Sequence, residues 1–236
     1  MASTRLGILT DLHDGQGSHP KRNMEQAQTF CRRAVDHFNH TSHPDLVWVL
    51  GDLVDDPGDA HTAARYAALH SILETLRMPW RILPGNHDWE ESAFYEVFPR
   101  PPLEEDLAGL RVMAFLDEDA PGYCARRSAD DLVRMQRARE DGWAGPLISL
   151  QHMSFHPPGI ADCPFNLENH ADAMMAMGKG QFSLSLGAHH HAGLDCVDGK
   201  QRYIVCRALC EQPYPITLVD IDLDSHRIHR TEAALG

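Results

Sequence analysis

Short apolar runs alternate with helical spacing through the first half of the chain. Residues 5–10 and 46–50 are runs of strand length, and the second (LVWVL) is continuous, as in a strand buried on both faces. Met24, Ala27, Phe30, Cys31, Ala34, Val35 and Phe38 recur on one helical face, which predicts an amphipathic helix over 22–40. Tyr66, Leu69, Ile72, Leu73 and Leu76 mark a second helix that stops before Pro79. Residues 81–83 follow as a short strand. This β-α-β-α-β order predicts a parallel sheet with helical crossovers.

The second half is less regular. Residues 112–116 and 147–150 have strand character, and Ser128 with Asp131 opens a helix predicted to run to about Glu140. Pro157, Pro158, Pro164 and several glycines make 153–180 a long loop with one helix near 168–177. Strands are predicted near 182–186, 194–197, 202–206, 215–223 and 226–231. Their spacing suggests hairpins and a mixed or antiparallel half. No repeat or linker divides the chain, so one domain over 1–236 is expected.

Charge narrows the partners. Lys plus Arg is 21 and Asp plus Glu is 34, a net −13 that repels polyanions and disfavours a nucleic-acid-coating role. No run approaches the roughly 20 apolar residues that span a bilayer, so no membrane partner is expected. Six cysteines without CxxC or framework spacing, and an N-terminus without a leader pattern, predict reduced thiols in a cytoplasmic protein.

Chemistry gathers where the predicted strands end. The first ends in Asp11-Leu12-His13, the second in Gly51-Asp52-Leu53-Val54-Asp55 and the third in Pro84-Gly85-Asn86-His87-Asp88. Strand LISL ends in Gln151-His152, and FSLSL ends in Gly187-Ala188-His189-His190-His191. Ligands of α/β sheets bind outside the carboxyl ends of strands. A lone strand-end Asp is ordinarily a cap or turn residue, but five successive ends carrying Asp, Asn or His form a joint pattern. The mixed oxygen and nitrogen donors suit Mn, Fe or Zn. Two such ions could clamp a phosphoryl centre and acidify a shared hydroxide as nucleophile.

In order and spacing, DxH, GDxxD, GNHD, a single His and a final HxH, the chain resembles the calcineurin-like metallophosphoesterase superfamily. The resemblance implies an α/β/β/α sandwich of two mixed sheets flanked by helices. It implies a first metal on Asp11, His13 and His191, a second on Asn86, His152 and His189, and Asp52 bridging both. His87 is then the general acid, oriented through a hydrogen bond to Asp88, and Asp55 supports its loop. The implied reaction is hydrolysis of a small-molecule phosphodiester, with a phosphomonoesterase or nucleotide pyrophosphatase as the runner-up. A non-catalytic scaffold and a nuclease rank lower: no ligand position is lost, and the acidic charge opposes a nucleic-acid groove. The family's Gly before the last motif is Ala188 here, which questions that turn. His190 is expected to point away from the ligand pair.

Other residues have plainer expectations. His156 could line the pocket or be solvated, and His19 sits in a surface turn. Trp89, Phe94, Tyr95 and Phe98 could stack a base but more often pack in a core. Arg126, Arg127, Arg134, Arg137 and Arg139, interleaved with acids, read as a solvated helix face. Asn166, Glu168, Asn169 and His170 sit in a loop that could set specificity.

Overall fold

A computed structural model describes residues 2–17, 19–160 and 162–236. In chain order the elements are β1 (Ser3–Leu9), α1 (Ala27–His37), β2 (Leu46–Val49), α2 (Thr62–Leu73), β3 (Trp80–Ile82) and α3 (Glu91–Val97). Next come β4 (Glu104–Leu107), β5 (Leu110–Phe115), β6 (Glu118–Ala120), β7 (Cys124–Arg126), α4 (Ala129–Gln136) and β8 (Leu147–Gln151). The last are α5 (His170–Gly180), β9 (Leu184–Gly187), β10 (Leu194–Asp198), β11 (Gln201–Val205), β12 (Pro215–Asp222) and β13 (Ile228–Ala234). Among the described residues, no helix is long and apolar enough to cross a membrane.

The chain forms two compact units. The first holds Arg5–Pro101, Arg207–Asp220 and His229–Gly236. Its sheet runs β13-β12-β1-β2-β3, with β1, β2 and β3 parallel as the crossover order requires. The predicted helix over 22–40 is a short 3-10 turn, then α1, then a wide π turn over Phe38–Ser42 that ends at left-handed His43. Its apolar stripe of Phe30, Cys31, Ala34 and Val35 packs into one core with Val47, Val49, Tyr66, Leu69, Phe94 and Phe98. Of the aromatics after GNHD, Phe94 and Phe98 are therefore core, edge-on to Tyr66. Trp89 is tied down through its indole N–H, which donates to the Pro57 carbonyl at 2.9 Å.

The second unit is built on Pro102–Cys206 and Ile221–Ile228, with sheet order β10-β11-β9-β8-β5-β4. Here the expected antiparallel character is confined to the edges. β5, β8, β9 and β11 are mutually parallel, and only β4 and β10 pair antiparallel. Met113, Phe115, Leu147, Met177 and Tyr203 head the core of this unit, against α4 and α5. The Ser128 hydroxyl caps α4 by accepting from the Asp131 N–H, but the helix stops at Gln136 rather than near Glu140. β6 and β7 form a separate two-stranded hairpin that the apolar pattern did not announce.

The arginines expected on a solvated face divide. Arg126 and Arg137 are exposed, whereas Arg127 is fully buried, ion-paired with Asp117 at 2.8 Å and stacked over Phe115. Arg134 and Arg139 donate to backbone carbonyls of Leu103, Ala114, Gly180 and Gln181. These long side chains fasten segments that lack regular ladders, and burying Arg127 requires the paired carboxylate.

Candidate metal centre

In the first unit the parallel ladder continues past the strand ends. The N–H groups of Asp11, His13 and Asp14 donate to the carbonyls of Gly51, Asp52 and Leu53 at 3.0, 3.0 and 2.8 Å. The two loops therefore travel together, and Asp11 and His13 lie beside Asp52. All three have left-handed backbones (φ 52°, 48° and 52°), which Asp and His tolerate better than most residues but which still cost energy. Gly51 is left-handed too (φ 84°), and a Cβ there would sit 2.2 Å from the Gly85 nitrogen. The glycine thus lets the GDxxD loop touch the GNHD loop.

Ligand atoms of Asp11, His13 and Asp52 all lie within 4.8 Å of one another, and all three residues are buried. Burial, opposed by Asp55, lowers the pKa of His13 and favours a neutral ring. The set then combines two buried carboxylates with a neutral imidazole, a donor chemistry whose charge a divalent or trivalent cation offsets.

Asp55 organises the neighbouring rings. Its carboxylate lies 3.2 Å from His13 Nδ1 and accepts from Arg22 at 2.7 Å. The His13 bond and the Arg22 guanidinium hold this carboxyl well below the usual carboxylate range. With His13 Nδ1–H donating to Asp55, Nε2 is left on the Asp52 side, 3.5 Å from that carboxylate. The Asp55 carbonyl oxygen lies 2.7 Å from His87 Nδ1. Asp88, expected to orient His87, has a carboxylate that accepts from the N–H groups of Leu53 and Gly85 and from the Tyr66 hydroxyl. Asp88 fastens the two loops, and the Asp55 carbonyl faces the His87 ring. Asn86 and His87 are half-buried, and the His87 N–H donates to the Asp52 carboxylate at 2.9 Å.

In the second unit, His152 follows β8 and the three histidines follow β9. The Ala188 N–H donates to the His152 carbonyl at 2.8 Å, and the Ser154 hydroxyl donates to the Ala188 carbonyl at 2.8 Å. The rings of His152 and His189 meet edge-on with centroids 5.4 Å apart. The question raised by Ala188 is answered by its neighbours. The left-handed residue is His189 (φ 68°), and the glycine that close approach demands is Gly187, where a Cβ would meet the Met153 carbonyl at 2.6 Å. Behind His152, the Gln151 amide donates to Ser185 and the Leu186 carbonyl while its oxygen accepts from Arg127. His191 is half-buried.

His156 is buried rather than solvated. Its ring nitrogens lie 2.9 Å from the Pro157 carbonyl and 3.2 Å from the Phe165 carbonyl. Asn166 brackets the His156 backbone, and Asn169 brackets that of Arg127. These two loop residues are fasteners. His19 Nδ1 accepts from the N–H groups of Lys21 and Arg22, closing a surface turn. Beside it is a cavity of about 630 Å³, walled in part by Lys21, Arg22, Glu211 and Tyr214. Arg22, Asp55, Arg127 and Gln151 were not singled out for these contacts, because each acts through a partner remote in sequence.

Buried carboxylates and imidazoles at the strand ends of an α/β fold are a donor set that could hold metal ions. The pattern of the calcineurin-like phosphoesterase family matches residues 4–193. A probable cyclic nucleotide phosphodiesterase of Rhodopseudomonas palustris is 29% identical over 167 residues, 64% of this chain and 56% of that relative, so the match spans little more than half of the relative's length. A dimetal phosphatase from Danio rerio superposes with TM-score 0.74 at 13% identity, covering 99% of both chains. The protein TT1561 of Thermus thermophilus does so with TM-score 0.63 at 16% identity, again over 99% of each. At such identities the structures speak for the fold, and they agree with the expected architecture. The chain belongs to the calcineurin-like phosphoesterase family, whose members are phosphoester hydrolases with dinuclear metal centres.

Proposed function

We propose that the protein is a dinuclear metal-dependent phosphodiesterase acting on a small molecule as one domain. The observation that carries this is the buried group of Asp11, His13 and Asp52, tied by hydrogen bonds to the loop that presents His87. The family relation and the phosphodiesterase relative support the reaction class. In this reading Asp11, His13 and His191 would hold one ion, Asn86, His152 and His189 would hold the other, and Asp52 would serve both. Mn, Fe and Zn all suit the donors. When bound, the ions supply Lewis acidity and lower the pKa of water.

The chain's own residues do the rest. Asp55 keeps His13 in the tautomer that leaves Nε2 as donor atom. His87 keeps a proton on Nδ1 toward the Asp55 carbonyl, so the proton that it gives to the leaving oxygen moves from Nε2. The left-handed backbones of Asp11, His13 and Asp52 hold those groups before substrate arrives. The cysteine pattern supports a cytoplasmic setting.

Protein reconstituted with Mn²⁺ is assayed against cyclic nucleotides, glycerophosphodiesters, dinucleotides and monoesters, alongside elemental analysis. The expected result is two ions per chain and faster turnover of one diester class. Stoichiometric metal with monoester turnover alone would replace the diester reading; no bound metal would end the proposal.

A further inference from the structure

Two aromatic rings in the second unit form a corner that begins at the edge of the core and ends in solvent: Phe165 packs against the core cluster, and Tyr123 stands outside it. Phe165 is half-buried and meets the ring of His189 edge-on, centroids 4.8 Å apart. Tyr123 meets Phe165 at nearly a right angle (84°), centroids 6.5 Å apart. Tyr123 is 68% exposed, at the tip of the β6–β7 hairpin, and has a left-handed backbone (φ 59°). A bulky residue in that conformation on an open turn is costly by both backbone and solvation.

The corner made by the two rings is held rigidly. The Phe165 carbonyl accepts from the Cys163 thiol at 3.3 Å and lies 3.2 Å from His156 Nε2. The next residue, Asn166, bonds the His156 backbone in both directions. The hairpin is pinned to the same loop: the Ala125 N–H donates to the Asn166 carbonyl, and the Glu168 N–H donates to the Ala125 carbonyl at 2.8 Å. A backbone bridge therefore keeps the segments that carry Tyr123 and Phe165 together, although they are distant in sequence. A pre-set pair of rings suits a flat, apolar guest that loses little by being immobilised.

We infer that Tyr123 and Phe165 form the subsite for the nucleobase of the substrate, stacked on one ring and edged by the other. The inference rests on the phosphodiesterase reading, in which His189 is a metal ligand and the reacting phosphate lies beside it. Phe165 borders that ligand, and Tyr123 stands one ring further out. The substrate class is accordingly a nucleoside phosphodiester.

The test compares AMP with ribose 5-phosphate, which share phosphate and sugar and differ by the base. Binding of each to Mn²⁺-loaded protein is measured by calorimetry. AMP should bind about tenfold more tightly, the scale of one base stacked on an aromatic ring. Tyr123→Ala and Phe165→Ala should each weaken AMP about tenfold and leave ribose 5-phosphate unchanged, while Phe165→Tyr should keep the preference. Tyr123 is exposed, so its loss does not threaten folding. Equal affinity for the two ligands, or equal weakening of both in the variants, overturns the subsite and leaves the phosphoesterase reading intact. Binding of neither ligand overturns both.

Discussion

Asp55 is engaged at two atoms at once: its carboxylate faces His13 and Arg22, and its carbonyl faces His87. Asp55→Ala removes only the first of these. Mn²⁺ affinity should fall about 10–100-fold, the usual cost of losing the group that orients a ligating imidazole; Asp55→Asn, which keeps an acceptor, should recover much of it. A metal titration of both variants decides this. His87→Ala should keep its metal and lose about 10²–10⁴-fold in turnover, as expected for a proton donor; an unchanged rate would remove that role. Spacing alone made Asp11, His13, Asp52 and Asn86 visible, because they stand at strand ends. It did not show that Asp88 ties Leu53 to Gly85 or that the Asp55 carbonyl faces His87, since both contacts depend on loop curvature.

Elements were legible in proportion to their apolar content. β2, β8 and the stripe of α1 are continuous or periodic in hydrophobic residues, and they lie where the pattern put them. β4 (EEDL) and the β6–β7 hairpin are polar edge pieces, stabilised by ladder bonds that composition does not announce. The glycines test the same scale. Gly51→Ala would force a Cβ into the Gly85 backbone at a left-handed position. It should cost about 1–3 kcal/mol or more and lower metal affinity as the GNHD loop shifts. Gly178→Ala, inside α5 with its nearest new contact at 3.7 Å, should stabilise by about 0.5–1 kcal/mol. Thermal melts of the pair separate the effects; equal shifts would contradict the close approach of the two loops.

For the molecule as a whole, the α/β class and the parallel core of the first sheet follow from element order, but strand order does not. β12, near the end of the chain, lies beside β1, and β13 forms the edge outside it. Local pattern carries no record of so distant a pairing. Asp11 and Asp52 are buried carboxylates that are costly without a cation beside them, so the apoprotein should melt earlier than the loaded form. With free Mn²⁺ at 100 times Kd the gain is about 2.7 kcal/mol, visible as a rise in Tm that a chelator reverses. Thiol labelling offers a second measurement: burial pushes the Cys31 thiol up to about 12, so iodoacetamide should spare it in native protein while modifying the half-buried Cys124.

The β6–β7 hairpin opens a route to engineering. It is a short contiguous segment, anchored by buried Ala125 and by main-chain bonds to Asn166 and Glu168, with Tyr123 exposed at its tip. If the inferred base subsite holds, swapping the tip residues would change which ligand is gripped and leave the strand-end carboxylates and imidazoles in place. Selectivity would then evolve as a replaceable cassette, at small cost to folding.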